Sequence, residues 1–287
     1  MKITEILSTG SVTVSCELFP PKYGSELHSA KSIVRDTAAL SPSFISVTCG
    51  VGGTNERTVS LADEAQNVCG VTALAHLTCL AAGREAIRGV LTELRARGIE
   101  NILALRGDVP EGTPLPARGE CLHASDLMEE IRAFGGFCAG GACYPEGHPE
   151  SATLQADVDS LKRKADSGCA FLVTQMFFDN HILYNFMFRL LKSGVDLPVA
   201  AGIMPVTDAR QITRICKLSG TALPPRFKAI VDRFGDDSAA MKQAGVAYAT
   251  EQIIDLVANG VNHIHIYTMN KPDIAGRIMG NLSEIFK

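Results

Sequence analysis

The sequence predicts an α/β fold of one particular kind, a single (β/α)8 TIM barrel. Three observations carry this expectation. Strand-like and helix-like segments alternate eight times along the chain. Where the strand signals are strongest, as in Asn101-Ile102-Leu103-Ala104-Leu105, the apolar residues run consecutively, the habit of strands buried on both faces of a parallel sheet. The length of 287 residues is near the ~250 typical of one barrel.

The elements follow in order. Val12–Leu18 alternates as a strand and Glu26–Leu40 repeats apolar residues at helical spacing; Phe44–Thr48 precedes a glycine-rich turn and a helix near Val59–Val68. Val71–Leu77 pairs with a helix over Gly83–Arg97, and Asn101–Leu105 with one near Ala124–Phe134 after the Pro- and Gly-rich loop Val109–Gly119. Phe137–Ala142 is followed by Leu154–Ser167, Phe171–Gln175 by Asn180–Lys192, and Pro198–Ile203 by Asp208–Leu218. A helical insertion around 219–259 separates the seventh unit from the last, Val261–Tyr267 with Asp273–Phe286, so that residues 1–287 read as one barrel domain. Strict βα order implies right-handed crossovers, and eight units close a barrel. A doubly wound open sheet is the alternative, but no Gly-x-Gly-x-x-Gly follows a strand and no Walker loop is present.

Composition narrows the function. A hydrophobic content of 46%, 20% charged residues and a net charge of −4 describe an ordinary globular chain without the basic stripe that nucleic acid requires. An anionic ligand must then be met by local arginines and lysines. The start, Met1-Lys2-Ile3-Thr4-Glu5, lacks the pattern of a signal peptide, and no apolar run approaches the ~18 residues of a membrane span, so the expected location is the cytoplasm. Nine cysteines without a Cys-x-x-Cys pair are expected to be reduced and mostly buried thiols.

The chemistry gathers where strands end, the rim at which barrel enzymes carry their active sites. The first strand ends in Glu17-Leu18-Phe19-Pro20-Pro21-Lys22, which places a carboxylate beside an aromatic and a proline-stiffened turn; a partly apolar mouth would raise its pKa toward that of a general acid, and the plain alternative is an ion pair with Lys22. The other ends carry Thr48, His76 and Thr78, Arg106-Gly107-Asp108, Tyr144-Pro145-Glu146-Gly147-His148-Pro149, Thr174-Gln175 and His265-Ile266-Tyr267-Thr268-Met269-Asn270. Polar groups from seven strands on one rim suit a large ligand of mixed polar and aromatic character.

These motifs, in this order from about Cys16 to Asn270, resemble the methylenetetrahydrofolate reductase family, joined by Leu161-Lys162-Arg163-Lys164 and Gly202-Ile203-Met204-Pro205. The resemblance implies flavin-dependent reduction of 5,10-methylenetetrahydrofolate to 5-methyltetrahydrofolate in one-carbon and methionine metabolism, a ping-pong reaction through reduced FAD with NADH or NADPH as donor. It implies that Thr48, His76, Arg106, Gly107, Asp108, Tyr144, His148, Asp157, Arg163 and Lys164 hold FAD, and that Glu17, Asp108 and Gln175 are catalytic. Glu17 would protonate the bridging nitrogen of the folate, Asp108 would sit by the pyrimidine side of the flavin, and Glu17, Gln175, Gln211, Tyr267 and Lys271 would meet the folate. The cations agree with a diphosphate ligand, and Asp157 offers an acceptor to the ribose or adenine portion. The sequence departs from relatives at His123 and Ile215, where aromatics occur, and at Lys271, where some carry arginine. A homo-oligomer or an electron-transfer partner subunit is compatible with this reading.

Two rival classes rest on other features. His263 and His265, spaced i, i+2, point the same way from a strand and with His76 suggest a metal-dependent barrel hydrolase. A non-catalytic barrel subunit of a redox complex would require a degenerate rim, whereas Glu17, Asp108 and Gln175 are all present.

Overall fold

In a computed structural model of the chain, residues 1–49, 55–80, 82–107 and 121–286 are described. The strands are β1 (Thr13–Leu18), β2 (Phe44–Val47), β3 (Ala73–Thr78), β4 (Asn101–Leu105), β5 (Cys138–Cys143), β6 (Phe171–Thr174), β7 (Val199–Ile203) and β8 (His263–Tyr267), and every pairing is parallel. They follow one another in sequence order around a closed barrel, β8 returning to β1 with Thr13 opposite His263, Ser15 opposite His265 and Glu17 opposite Tyr267.

The helices are α1 (Ile3–Leu7), α2 (Leu27–Ala38), α3 (Asn55–Asp63), α4 (Arg84–Ala96), α5 (Ala124–Phe134), α6 (Leu154–Asp166), α7 (Asn180–Lys192), α8 (Ala209–Ser219), α9 (Pro225–Phe234), α10 (Ser238–Ala258) and α11 (Pro272–Asn281). Local chemistry sets several of their starts. Thr153, Asp179, Asp208 and Asp237 accept backbone N–H groups in the first turns of α6, α7, α8 and α10, satisfying donors that no helical carbonyl can reach. The helix expected near Val59–Val68 begins instead at Asn55 and passes into a π-type turn over Glu64–Val68. Glu64 is buried there and paired with Lys31 and Arg35 of α2, a tertiary contact that apolar periodicity does not encode. The final helix stops at Asn281, short of the expected Phe286.

Period-two alternation builds two cores. Val14, Cys16, Leu18, Ile45, Val47, Ile102 and Ala104 face the helical ring. Phe44, Leu74, Leu103, Cys138, Phe171, Val173 and Ala200 fill the lower barrel interior, and Ile3, Ile6 and Leu7 of α1 close it from below. The sequence did not announce α1: five residues are too few to show a helical period. Its placement is held by the Ile3 N–H, which donates to buried Asn101 Oδ1 at 2.9 Å. At Gly140 any Cβ would overlap the Phe171 ring, so the glycine makes room for that interior aromatic side chain. All nine cysteines are free and six are buried. Among the described residues no helix is long and apolar enough to cross a membrane.

Candidate active site

Above the apolar plug the interior becomes polar, because the same inward parity that gives Phe44 and Leu74 lower down gives Ser46 and His76 one step higher. Glu17 is the centre. Its Oε2 lies 3.3 Å from His265 Nε2 and 3.5 Å from His76 Nε2, with both imidazoles buried and the carboxylate side chain only 16% exposed. Ser15 holds His265 from behind, its Oγ 2.7 Å from Nδ1, whereas Ser46 Oγ lies 2.6 Å from His76 Nε2, the same nitrogen that faces Glu17. Ser15 also donates to the Ile264 carbonyl at 3.1 Å. Burial pushes His76 down to about 4, so this imidazole is neutral at physiological pH.

This arrangement corrects the expected surroundings of Glu17. Phe19 is turned outward and 41% exposed, so the carboxylate stands between two imidazoles rather than beside an aromatic. Its nearest side-chain partners are the imidazoles of His265 and His76; Lys22 instead lies over the Tyr23 ring. His263 does point the same way as His265, but its ring bonds Thr13 Oγ1 at 3.0 Å, one layer below. Among the described residues no group of three or more His, Cys, Asp or Glu has the arrangement of a metal site.

Tyr267 occupies the next inward position of β8, and its hydroxyl donates to the Thr174 carbonyl at 2.5 Å. That bond ties β8 to the end of β6 immediately before Gln175, whose Oε1 accepts the Met176 N–H at 2.9 Å. Thr48 closes β2 through backbone contacts, its N–H donating to Leu18 and its carbonyl accepting from Thr58.

A second group gathers on the β4 and β5 side. Arg106 follows β4, and Gly107 turns there with φ of 86° where a Cβ would press on Thr78 at 3.1 Å. The Arg106 guanidinium makes two parallel bonds of 2.6 Å to Glu150. Tyr144 and His148 meet edge to face at 4.6 Å, and His148 Nδ1 accepts the Glu150 N–H at 3.1 Å. Asp157 of α6 is buried and accepts from Ser151 at 3.1 Å. Lys164 donates to the Ala142 carbonyl at 2.7 Å, and burial lowers its pKa. Arg163, one residue away on α6, is exposed and bonds Ser160 at 2.7 Å rather than joining the cluster. Asp108 lies outside the described residues.

The third group lies between β7 and β8. Gln211, Ile215 and Lys271 line a small depression with Pro205, Thr207 and Met269, and Lys271 Nζ donates to Thr207 Oγ1 at 2.9 Å. Ile215 also packs on the cluster around Met176, Phe178, Ile212 and Phe227. His123 precedes α5, its N–H accepted by Asp126 at 2.9 Å.

Of the three members of the central cluster, the sequence marks Glu17 as a proton donor and His76 as a residue that would hold FAD, without placing the two together. His265 is marked there as part of the strand-end motif His265–Asn270 and as a candidate metal ligand, and Ser15 and Ser46 carry no assigned role. Parity offered a signal, since Ser15 and Glu17, like His265 and Tyr267, are two residues apart on one strand face.

A closed parallel barrel with a carboxylate and two imidazoles gathered inside its upper half is built like the enzymes that use this fold's C-terminal rim for catalysis. Residues 2–283 match the family described as methylenetetrahydrofolate reductase. The chain belongs to that family, whose reaction is the reduction of methylenetetrahydrofolate. The 5,10-methylenetetrahydrofolate reductase of Escherichia coli (strain K12) is 32% identical over 274 residues, covering 95% of this chain and 91% of that protein. The protein of the same name from Pectobacterium carotovorum subsp. carotovorum has the same identity and coverage. Methylenetetrahydrofolate reductase (NADH) 1 of Zea mays is 35% identical over 301 residues, and this chain spans 50% of its length. Among solved structures, a Clostridium thermocellum protein that binds two copies of 5-methyl-5,6,7,8-tetrahydrofolic acid aligns over 100% of this chain and 99% of its own, with a TM-score of 0.65 and 13% identity, a likeness of fold.

Proposed function

We propose that this chain converts 5,10-methylenetetrahydrofolate to 5-methyltetrahydrofolate with FAD as its bound cofactor and NADH or NADPH as electron donor, and that Glu17 is the proton donor. The observation that carries this reading is the clamp on Glu17, a carboxyl group held by two imidazoles at the mouth of the barrel.

Hydrogen-bond accounting explains what the clamp does. The single hydroxyl proton of Ser15 goes to the Ile264 carbonyl, so Ser15 Oγ accepts from His265 Nδ1–H. His265 Nε2 then turns a lone pair toward Glu17 Oε2 at 3.3 Å, and two lone pairs at that distance repel unless one proton lies between them. The pair therefore stores one proton. Transfer from Glu17 to the bridging nitrogen of the folate breaks its bond to the methylene carbon and leaves an iminium, and one hydride at that carbon completes the methyl group. Proton and hydride account for the two-electron reduction. His76, neutral and fixed by Ser46, adds no charge that would compete for the proton.

The residues on the β4 and β5 side fit FAD. Arg106 already grips a planar oxyanion with both arms, the geometry a diphosphate demands. Buried Asp157 supplies an acceptor for a hydroxyl or amine, and Lys164 a second cation. FAD bound there would supply hydride to the folate. Thr48, Gly107, Tyr144 and His148, with Asp108 and Arg163, would complete the proposed cofactor set, and Gln175, Tyr267, Gln211 and Lys271 would orient the folate.

The test is an anaerobic titration of the purified protein, loaded with FAD, first with NADH and then with NADPH, followed by methylenetetrahydrofolate. Bleaching by a nicotinamide donor and recovery of the flavin absorbance on adding folate is the expected result. A protein that takes up no FAD, or whose reduced flavin is not reoxidised by the folate, rules the reading out.

A further inference from the structure

Arg106 does not wait for a cofactor with an open fork. Both of its terminal nitrogens are engaged by Glu150, Nη1 with Oε2 and Nη2 with Oε1, each at 2.6 Å. A guanidinium fork accepts a carboxylate and a phosphate with the same two-point geometry, and the charge-assisted bonds hold the carboxyl of Glu150 below its usual pKa. The two partners are not equally placed. The Arg106 side chain is 27% exposed and that of Glu150 60%, so the carboxylate is the half already facing water and the half that leaves at small desolvation cost.

The loop that carries Glu150 links it to the residues proposed to hold FAD. Its backbone N–H donates to His148 Nδ1, His148 packs edge-on against Tyr144, and the next residue, Ser151, donates to Asp157. We infer that Glu150 is an internal stand-in for the cofactor's diphosphate: it holds Arg106 in place when no cofactor is bound and competes with FAD for the same guanidinium, thereby setting cofactor affinity. This deepens the proposed function and rests on its reading of Arg106 as a phosphate ligand.

The competition is shallow by construction. An exposed ion pair shifts an equilibrium constant by about five-fold at most, enough to weaken loading without preventing it. Arg106 is thereby kept from pairing with other anions.

The experiment compares deflavinated wild type, Glu150→Gln and the double variant Glu150→Gln/Arg106→Gln at one ionic strength. FAD affinity is read from quenching of flavin fluorescence, and inorganic pyrophosphate is added separately in thermal melts. Glu150→Gln is expected to bind FAD up to about five-fold tighter than wild type, to gain a larger melting shift from pyrophosphate, and to lose both gains when Arg106 is also replaced. Unchanged or weaker FAD binding by Glu150→Gln, with the wild type binding normally, would mean that the carboxylate stays on Arg106 beneath the cofactor, and the inference falls while the proposed function stands. A wild type that takes up no FAD overturns both together.

Discussion

Glu17 Oε2 and His265 Nε2 face each other at 3.3 Å across the seam where β8 closes against β1, although the residues are 248 positions apart in the chain. His265 is fully buried and its other ring nitrogen is committed to Ser15, so the imidazole cannot turn away. On the proposed reading, the proton needed by the folate would be held between two groups of fixed orientation, with Ser15 acting through His265 as a positioning residue.

Glu17→Gln should leave reduction of the loaded flavin by the nicotinamide donor within a few-fold of wild type and lower methyltetrahydrofolate formation by roughly 10²- to 10⁴-fold, since the amide keeps a hydrogen bond to His265 but has no proton to transfer. Stopped-flow measurement of the two half-reactions separates these effects. Normal folate turnover by the variant would remove Glu17 from its proposed role.

The neutral state of His76 has a consequence for stability. Its pKa falls from 6.5 to about 4 on folding because burial disfavours the imidazolium. The unfolded chain thus binds a proton between those two values that the folded chain does not. Stability from this residue is complete above pH 6.5 and is lost on acidification toward pH 4 at a limiting slope of about 1.4 kcal/mol per pH unit. Denaturant unfolding at intervals across that window should show a shallower acid loss for His76→Gln than for wild type; parallel curves would contradict it.

Gly140→Ala should destabilise the barrel by about 1–3 kcal/mol, because the added methyl must displace the Phe171 ring in a filled interior. Combining it with Phe171→Leu should recover part of the loss, as the smaller side chain vacates the overlap. Urea midpoints of the two single variants and the double variant give the coupling, and strictly additive losses would show that the two positions do not share space.

Ile215 lines the depression beside Gln211 and Lys271 while its other side packs on the cluster around Ile212 and Phe227. Ile215→Phe should lower the Michaelis constant for NADH several-fold if its ring reaches the depression, where an aromatic face adds roughly 0.5–1.5 kcal/mol beyond burial. Melting temperature and NADH kinetics on the same variant decide: a lower melting temperature with unchanged kinetics would place the ring in the packed cluster.

The sequence by itself determined the alternation of strands and helices and the residue sets at the strand ends. It also determined that Ser15 with Glu17, and His263 with His265 and Tyr267, share faces, because apolar periodicity and two-residue spacing are local properties. Only the tertiary structure decided which of those faces meet. The register between β1 and β8, which sets Ser15 opposite His265 and Glu17 opposite Tyr267, is fixed by closing all eight strands together. The seating of α1 beneath the barrel and the grip of Glu150 on Arg106, 44 residues away, also join segments whose local patterns carry no mark of one another. A hydrophobic repeat states which side of an element is buried, and the packing of the whole chain selects what it is buried against.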